Sequence, residues 1–531
     1  MNYIVIILLV FCIGISISSK ILVINPIFGF SHVKFGSKLS DILADGGHDV
    51  TVLQPYHLAM KNIDGLIKNS KVEIMNYYPD HYEELKKVPG QTFPMFWDSA
   101  LMTNPVLGAF MMAKALVPEF EKTATQLLRD DNLHQKLKEK QFDVVITETF
   151  DLSGLYLSHL INVPVIPFMS AVRYPVFEYL FGQPSLIGYV PHAESSLGSE
   201  AGFFDRLNDV YREFFMNMGF TRLNDAQHDM LCKATGKKLP HWKELTATSP
   251  IYITNGNPYL DFSMPSTGNI IQVGGITIPK KKKVEALPEE YETILKERES
   301  TVLISFGSVV RSYEMPDNFK SGVIEMFHNL PDVTFIWKYE KDDDELEKRL
   351  PSNVHLKKWV PQPALLADDR LKVFVTHGGL GSVMEVAYTG KPALMIPLFG
   401  DQHHNAQMLS RHGGAVSYNK YNLPKSDRLT SVLKDMVSNP KYKKSAEQLR
   451  EVLKNQPIDP KVRLLNHLEF AIKFPHLKSQ VPEISKVGTI AFYYLDVLLF
   501  LTLVAILLSI VSFKVVQFVV SKIFSNKAKK D

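Results

Sequence analysis

The sequence is poor in cysteine, because only Cys12 and Cys232 occur among its 531 residues. Cys12 lies in an apolar N-terminal run that we expect to be removed, so the mature chain has no second cysteine for an intramolecular disulfide. A chain of this length can be held together by its hydrophobic cores alone, so the scarcity of cysteine does not exclude a secreted or lumenal location. Asn-x-Ser/Thr sequons are absent as well, which excludes N-glycosylation.

A surplus of charge of one sign is also lacking. The chain has 59 Lys and Arg against 56 Asp and Glu, which gives a net charge of only +3. This balance does not favour a nucleic-acid partner. Because 45% of the residues are hydrophobic, a chain of this length is expected to form two domains with cores of their own.

Both ends of the chain are apolar. The run from Ile4 to Ile17, followed by small residues, predicts a secretory signal over residues 1–18 that is cleaved at its C-terminal end. A retained N-terminal anchor is the alternative, although the run is short for a membrane span. The uncharged run from Val497 to Phe513 predicts a transmembrane helix over residues 495–513.

The mature chain begins with a βαβ unit. Lys20 to Pro26 predicts a buried strand, the apolar stripe between His32 and Asp45 predicts a helix, and Asp49 to Gln54 predicts a second strand. The loop after the first strand of such a unit lies at the ligand-binding edge of the sheet, so His32 is expected in a crevice. Its imidazole titrates near neutrality, which suits it to take a proton from a hydroxyl group.

A second αβ pattern is centred on residues 359–402. Leu371 to Thr376 predicts a buried strand that ends at the turn His377-Gly378-Gly379, and a helix is predicted from Gly381 to Tyr388. The free N–H groups at the start of this helix, together with its dipole, favour a diphosphate. The glycines allow that diphosphate to approach the backbone closely.

Further polar residues are expected at the same edge, since the carboxyl ends of parallel strands face one crevice. Aromatic and amide side chains nearby can receive the face and the edge of a base. These residues are Gly307 and Ser308 after the strand that starts at Thr301, Asp401 and Gln402 after the strand from Lys391 to Leu398, and Trp359 and Gln362.

The stretch from Trp359 to Gln402 resembles the signature of the UDP-glucuronosyltransferase family. These are membrane-bound glycosyltransferases that transfer a sugar from a UDP-sugar to small lipophilic acceptors. The resemblance implies an α/β fold of two facing Rossmann-like domains, of the GT-B type, with a C-terminal single-pass transmembrane helix. It implies an acceptor-binding domain over residues 19–279, a linker over 280–299 and a UDP-sugar-binding domain over 300–480.

The resemblance also assigns roles in donor binding. It places Trp359 on the uracil ring, Gln362 at the uridine and Glu385 on the ribose hydroxyls. The remaining implied contacts are those of His377, Gly378 and Gly379 with the diphosphate, and those of Asp401 and Gln402 with the sugar hydroxyls. Vertebrate members commonly have Asn where this chain has Gly381, so the backbone or Ser382 is expected to replace that phosphate contact.

In the resembled family, the histidine at the position of His32 is the catalytic base, and an acidic residue after the strand Phe142 to Thr147 orients it. The family has Asp where this chain has Glu148, so Glu148 is the predicted orienting residue. Asp151 is the substitute if the longer side chain overshoots. No cofactor and no metal are expected, because the helix dipole and His377 would supply positive potential at the diphosphate.

Segments rich in aromatic residues and methionine line either an acceptor pocket or a core. Both alternatives stay open, because pockets for small molecules and protein cores use the same residue types. These segments are Phe93–Trp97, Leu107–Leu116 and Tyr174–Gly182.

The expected function is inverting transfer of a hexosyl group, glucuronate or glucose, from a UDP-sugar to a hydroxyl of a small lipophilic acceptor. The alternative is a membrane-anchored nucleotide-sugar-binding protein or partner subunit without catalysis. A nicotinamide-dependent reductase is disfavoured, because no G-x-G-x-x-G turn follows the first strand. A homo-oligomer is left open.

Lysines after the predicted span indicate its orientation. They are Lys514, Lys522, Lys527, Lys529 and Lys530. This excess places the tail, residues 514–531, in the cytosol, and a cleaved signal places both domains in the lumen of the endoplasmic reticulum as a single-pass type I protein. Lys527 and Lys529 resemble the K-x-K-x-x signal that returns membrane proteins to that compartment. The alternative is that these lysines only set the orientation.

Overall fold

The structure is a computed structural model, and it describes most of the chain. The predicted signal and the first part of the predicted linker lie outside the described residues. The described residues are 18–60, 63–87, 95–98, 117–118, 120–183, 185, 190, 201–279, 286–307, 310–477, 487 and 489–527.

The first half of the chain forms a sheet of seven parallel strands, in the order β3-β2-β1-β4-β5-β6-β7. The strands are β1 (Lys20–Ile24), β2 (Asp49–Pro55), β3 (Glu73–Tyr77), β4 (Val144–Glu148), β5 (Val165–Met169), β6 (Tyr252–Thr254) and β7 (Ile270–Gln272). Every residue of β4 and β5 is buried, as is expected of parallel strands that helices cover on both faces.

Most helices of the first half of the chain pack on this first sheet, whereas the one that contains Trp97 packs on the second. The helices of this half are α1 (Phe30–Asp45), α2 (Tyr82–Lys87), α3 (Met95–Asp98), α4 (Asp131–Glu139), α5 (Ser153–Ile161), α6 (Pro175–Glu178), α7 (Phe203–Thr235) and α8 (Trp242–Ala247), with a further helical stretch over residues 120–129 and a 3-10 turn at Tyr179–Phe181.

The second sheet has six parallel strands in the order β10-β9-β8-β11-β12-β13. The strands are β8 (Ser300–Ser305), β9 (Val333–Lys338), β10 (Val354–Lys357), β11 (Leu371–Thr376), β12 (Ala393–Met395) and β13 (Ala415–Ser417). The two parallel sheets confirm the prediction of an α/β protein with two Rossmann-like units.

The helices that follow in the chain belong mainly to the second sheet. They are α9 (Glu289–Ile294), α10 (Asp317–Asn329), α11 (Asp344–Glu347), α12 (Gln362–Ala367), α13 (Leu380–Thr389), α14 (Gln402–Ser410), α15 (Ser426–Ser438) and α16 (Pro440–Lys454), with 3-10 turns at Ser312–Glu314 and Lys420–Asn422. The last helices are α17 (Pro460–Lys473), α18 (Thr489–Phe492) and α19 (Leu495–Lys527).

Two local predictions differ from the structure. The strand predicted from Lys391 to Leu398 is only β12, because Pro392 and Pro397 flank it and have no N–H group to donate to a neighbouring strand. Helix α9 lies within the predicted linker. Its Tyr291 is buried against the second domain, where its hydroxyl donates to the backbone carbonyl of Trp359 at 2.8 Å.

The strand order of each sheet creates a crevice. In the first sheet the order reverses between β1 and β4, which are paired with Ile24 opposite Thr147. In the second it reverses between β8 and β11, which are paired with Ser305 opposite Thr376. Loops that leave adjacent strands at such a point diverge to opposite faces of the sheet and leave room for a ligand.

The two units exchange segments. Helix α17 follows the second sheet in sequence, yet its Leu464 and Leu468 are buried in the core of the first. In the other direction, Trp97 from the first half is buried in the core of the second, where its ring meets Phe306 with centroids 4.8 Å apart.

Helix α19 stands apart from both cores. It is apolar over Leu495–Lys522 and none of that stretch is buried, so its length and composition fit a membrane span. The predicted start of the span at residue 495 coincides with the start of the helix.

We expect Leu464→Ala to destabilise the first domain by about 2–5 kcal/mol, although Leu464 lies after the second domain in the chain, because it leaves a cavity in the first core. Amide hydrogen exchange of β1 and β2 in the full chain should accelerate. Val462→Ala is the matched control, because Val462 is exposed on the same helix. Unchanged exchange in β1 and β2 would contradict this reading of α17.

Candidate active site

His32 lies in the first turn of α1, and the end of β1 sets its position. The Asn25 side-chain amide donates to the backbone carbonyl of Val33 at 3.1 Å and to the Ser37 hydroxyl at 3.3 Å. A Cβ atom on Gly36 would lie 2.3 Å from Asn25 Oδ1, so only glycine allows this close approach. Asn25 therefore ties the start of α1 to the sheet edge and leaves the His32 side chain 22% exposed in the crevice.

Glu148 is the last residue of β4, next to β1, and its carboxylate is fully buried beside His32. Its Oε2 accepts the backbone N–H of Phe150 at 3.0 Å. Its Oε1 lies 3.5 Å from Nδ1 of His32. This separation is longer than a normal hydrogen bond, but catalytic hydrogen bonds are often long before substrate binds. The pair has the arrangement that the sequence predicted for a base and its orienting acid, whose roles stay a prediction.

Asp151 has a different partner. Its Oδ2 lies 2.9 Å from Nε2 of the buried His57, and it also accepts the Ser153 hydroxyl at 2.6 Å. Burial raises the pKa of Asp151, but His57 and the hydrogen bonds from His57 and Ser153 outweigh burial and lower it overall. Asp151 therefore pairs with His57 and not with His32, because α5 begins at Ser153 and turns the carboxylate into the domain.

The turn after β11 meets the turn after β8 at the crevice of the second domain. Gly307 has φ +87° and Gly378 has φ +85°, both in the left-handed region that favours glycine. A Cβ atom on Gly307 would lie 2.6 Å from the His377 imidazole, and one on Gly379 would lie 2.5 Å from it. Gly307 and Gly379 thus make room for the His377 ring. Ser308 lies outside the described residues.

The first turn of α13 is open where a donor phosphate would lie. Gly381 stands where vertebrate members of the resembled family commonly have asparagine. A Cβ atom on Gly381 would meet nothing within 4 Å, so free space lies beside it. The neighbouring Ser382 hydroxyl accepts the Gln362 amide at 3.2 Å. The free N–H groups of this turn and the helix dipole make the space suitable for an anion.

Lys338 is a site residue that the sequence analysis missed. It ends β9, next to β8, and its Nζ donates to the backbone carbonyl of Gly307 at 2.5 Å while lying 3.2 Å from Oε1 of Glu340. The same Nζ is 5.2 Å from the ring centroid of Trp359, which is 58% exposed. A lysine at the carboxyl end of a strand beside the Gly307 strand was the available signal.

The positive charge at this turn belongs to Lys338. Burial, and then the charge of Lys338, lower the pKa of His377 to about 4, so the imidazole is neutral near pH 7. The expectation that His377 supplies positive potential is thus corrected, since a neutral ring supplies an N–H donor and no charge. Among the described residues, no group of three or more His, Cys, Asp or Glu could hold a metal ion, and a metal-free reaction stays a prediction.

Glu385 is held by partners from both domains. Its Oε2 accepts the Gln362 amide at 2.8 Å, and its Oε1 accepts Nζ of Lys34 at 3.0 Å. Lys34 lies on α1, one helical half-turn after His32 and across the crevice from α13. The sequence offered no signal for this contact, because the two residues are 351 positions apart.

Asp401 and Gln402 begin α14 at the end of the crevice. Asp401 Oδ2 accepts the Asn405 amide at 2.9 Å. Burial raises the pKa of Asp401, and the Asn405 hydrogen bond opposes this rise only in part. Gln402 uses its side-chain oxygen to accept the backbone N–H of Leu398 at 2.9 Å.

The aromatic segments were predicted to line either an acceptor pocket or a core. Where the structure describes them, they lie in a core. Phe177 and Phe181 are buried in the core of the first domain. Phe96 stacks on Phe399 of the second domain with ring centroids 3.9 Å apart. Phe93, Pro94 and the segment Leu107–Leu116 lie outside the described residues.

Other aromatic side chains line the crevice beside His32. Phe28 lies 4.7 Å from the His32 ring and stacks on Phe150 at 5.7 Å, between centroids. Phe150 in turn lies 6.4 Å from Tyr174, and Phe28 lies 5.4 Å from Phe120. The sequence analysis did not single out Phe28 or Phe120, because isolated aromatic residues carry no pattern.

We expect Lys338→Met to raise the pKa of His377 from about 4 but to leave it below the ordinary histidine value, because burial is the larger cause of the shift. An NMR titration of histidine-labelled protein measures this, with His377→Gln to assign the resonance. Lys357→Met is the matched control, since Lys357 ends the neighbouring strand β10 and pairs with Glu290 instead. An unchanged pKa of His377 in Lys338→Met would contradict the conclusion that Lys338 carries the positive charge at this turn.

Comparison with known proteins identifies the family of this chain. The family model "UDP-glucoronosyl and UDP-glucosyl transferase" matches residues 19–530. Bovine UDP-glucuronosyltransferase 3A1 is 29% identical over 92% of this chain and 91% of its own length. Mouse UDP-glucuronosyltransferase 2B17 is 28% identical over 89% of this chain and 88% of its own length. The putative UDP-glucuronosyltransferase ugt-48 of Caenorhabditis elegans is 25% identical, over 94% of both chains.

Solved structures share the fold. The glycosyltransferase of kitacinnamycin superposes with a TM-score of 0.58 over 88% of this chain and all of its own, at 18% identity. Phytolacca americana UGT2, solved with UDP-2-fluoro-glucose and pterostilbene, superposes with a TM-score of 0.55 over 86% of this chain and all of its own, at 16% identity. With a family model matched from residue 19 to residue 530, the chain belongs to the UDP-glucuronosyl and UDP-glucosyl transferase family and is a UDP-glycosyltransferase.

Proposed function

We propose that the protein transfers a hexosyl group from a UDP-sugar to a hydroxyl of a small lipophilic acceptor with inversion at the anomeric carbon. The supporting observation is the placement of His32, backed by Glu148, on the helix whose Lys34 reaches Glu385 of α13 across the crevice. A base on one side of the sugar and a leaving-group site on the other suit a single displacement.

In this mechanism, Nδ1–H of His32 donates to Glu148, which leaves the Nε2 lone pair to accept the proton of the acceptor hydroxyl. The hydroxyl oxygen forms a bond to the anomeric carbon as the bond to the UDP oxygen breaks, and that electron pair leaves with UDP. The N–H groups at the start of α13 and the ammonium of Lys338 stabilise the charge that develops on UDP.

The donor contacts follow from side chains that are already in place. The exposed face of Trp359 receives the uracil ring, and Gln362 lies at the base of the same pocket. Glu385 accepts the ribose hydroxyls, so Lys34 must share that carboxylate or release it when the donor binds. Asp401 binds the sugar hydroxyls, whereas the oxygen of Gln402 is already used by the loop, which leaves its amide nitrogen as the sugar contact.

We further propose that the protein is a single-pass type I protein of the endoplasmic reticulum, with both domains lumenal and α19 as its anchor. The lysines after the span support this orientation. Protease added to sealed microsomes should remove only the C-terminal tail. Digestion of the two domains under the same conditions would reverse the proposed orientation.

For the base, we expect His32→Ala to lower kcat by about 10²–10⁴ with little change in UDP affinity, because only the proton transfer is lost. Glu148→Gln should lower kcat by roughly 10- to 100-fold, as the loss of an orienting partner does elsewhere. The matched control is Glu139→Gln, an exposed carboxylate on α4. Steady-state rates with a phenol and isothermal titration with UDP measure both effects. Full activity of His32→Ala on a weakly acidic alcohol would remove His32 from the mechanism.

For the donor, labelled UDP-glucose and UDP-glucuronate should be compared in membranes that contain the protein, with a panel of phenols. We expect one of the two to be used, and the α-linked donor to yield a β-linked product, because a single displacement inverts the anomeric carbon. Proton NMR of the product distinguishes the anomers. An α-linked product would contradict inversion, and no transfer from either donor would contradict the proposed donor class.

A further inference from the structure

The N-terminal half of α7 is amphipathic, but it buries carboxylates and exposes apolar side chains. Its buried side chains include two carboxylates, Asp209 and Glu213, whereas its exposed side chains are large and apolar. The exposed set is Phe203, Phe204, Leu207, Val210, Tyr211 and Phe214. Phe204 is 79% exposed, Phe203 65% and Phe214 60%, which is far from the usual burial of phenylalanine.

The six exposed residues form one continuous stripe. At 3.6 residues per turn, they fall within an arc of about 120°. Arg206 and Arg212 lie outside this arc, to either side of it. A patch of this kind exceeds what soluble monomers ordinarily expose, and aromatic residues rimmed by arginine are typical of helices that lie in the interface of a bilayer.

The position of α7 relative to α19 indicates what covers the stripe. Tyr493, just before α19, donates its hydroxyl to the backbone carbonyl of Ser185 at 3.0 Å. The hydroxyl of the same Ser185 donates to the Glu213 carboxylate of α7, so Ser185 joins Tyr493 to the polar face of that helix. Tyr179 also donates its hydroxyl to the backbone carbonyl of Val487 at 2.5 Å. Through Ser185, α7 is thus linked to the segment from which the membrane helix starts.

We propose that residues 203–214 of α7 lie in the interface of the same bilayer that α19 crosses, with Phe203, Leu207 and Phe214 among the acyl chains. The domain then contacts the membrane at two places, the start of α19 and the apolar stripe, and two attachments fix its orientation. Arg206, exposed beside the stripe, can reach the phosphate groups, which favours bilayers that contain anionic lipids. This contact does not depend on which sugar the enzyme transfers.

The test uses the full chain without its native cysteines, Cys12 and Cys232, in nanodiscs of phosphatidylcholine with phosphatidylserine. Spin labels at Leu207→Cys and at Phe214→Cys should collide more often with oxygen than with a water-soluble nickel complex, at a depth of about 5–10 Å below the headgroups. The matched control is Asn208→Cys, exposed in the same turn but outside the stripe. A label at Lys348→Cys, on an exposed lysine of the second domain, gives the value in water.

Two outcomes would overturn the proposal. Nickel accessibility at positions 207 and 214 equal to that at position 348 would place the stripe in water. Low collision rates of both labels with oxygen and with nickel would show that protein covers the stripe. A second copy of the chain could provide such a cover. Binding of UDP by each labelled protein checks its fold, and Val210→Cys, on the same stripe, provides the same readout if Phe214→Cys does not fold.

Discussion

The arrangement of the active site depends on one constraint, the reversal of strand order in the middle of each parallel sheet. Loops that leave β1 and β4 meet at the reversal in the first sheet, and they bring His32 and Glu148 together although 116 residues separate them. Loops that leave β8 and β11 do the same for Gly307 and His377. Because both crevices open at carboxyl strand ends, the helix that carries His32 faces α13, and Lys34 contacts Glu385 across the gap.

The turns of the second domain offer space and backbone dipoles rather than many charges. Glycines at 307 and 379 are required because the His377 ring occupies the volume of their missing side chains. Burial keeps that ring neutral, so Lys338 is the cation nearest to the turn. Lys34 reaches from the first domain to Glu385, so the carboxylate proposed to bind the ribose also links the domains across the crevice.

Aromatic side chains of the first domain connect this crevice to α7. On α7, the helix with the exposed apolar stripe, Phe220 packs against Tyr174 with ring centroids 5.0 Å apart. Tyr174 adjoins Phe150, which lies beside His32. A row of aromatic side chains therefore runs through the first-domain core from α7 to His32.

The sequence by itself determined the α/β class, the strand from Leu371 to Thr376, the apolar helix at the C-terminus and the family signature. These features are local, because periodicity, glycine placement and motif spacing act over a few residues. From the signature and the first βαβ unit, His32, Glu148, His377, Glu385 and Asp401 could all be named in advance.

Only the tertiary structure decided which partners these residues have. It paired Asp151 with His57, buried Phe177 and Phe181 in a core, and brought Lys34 to Glu385. It also placed α17 on the first sheet and left the apolar face of α7 uncovered. Contacts of this kind join residues far apart in the chain, and the burial that sets the pKa of His377 exists only after the second domain has folded.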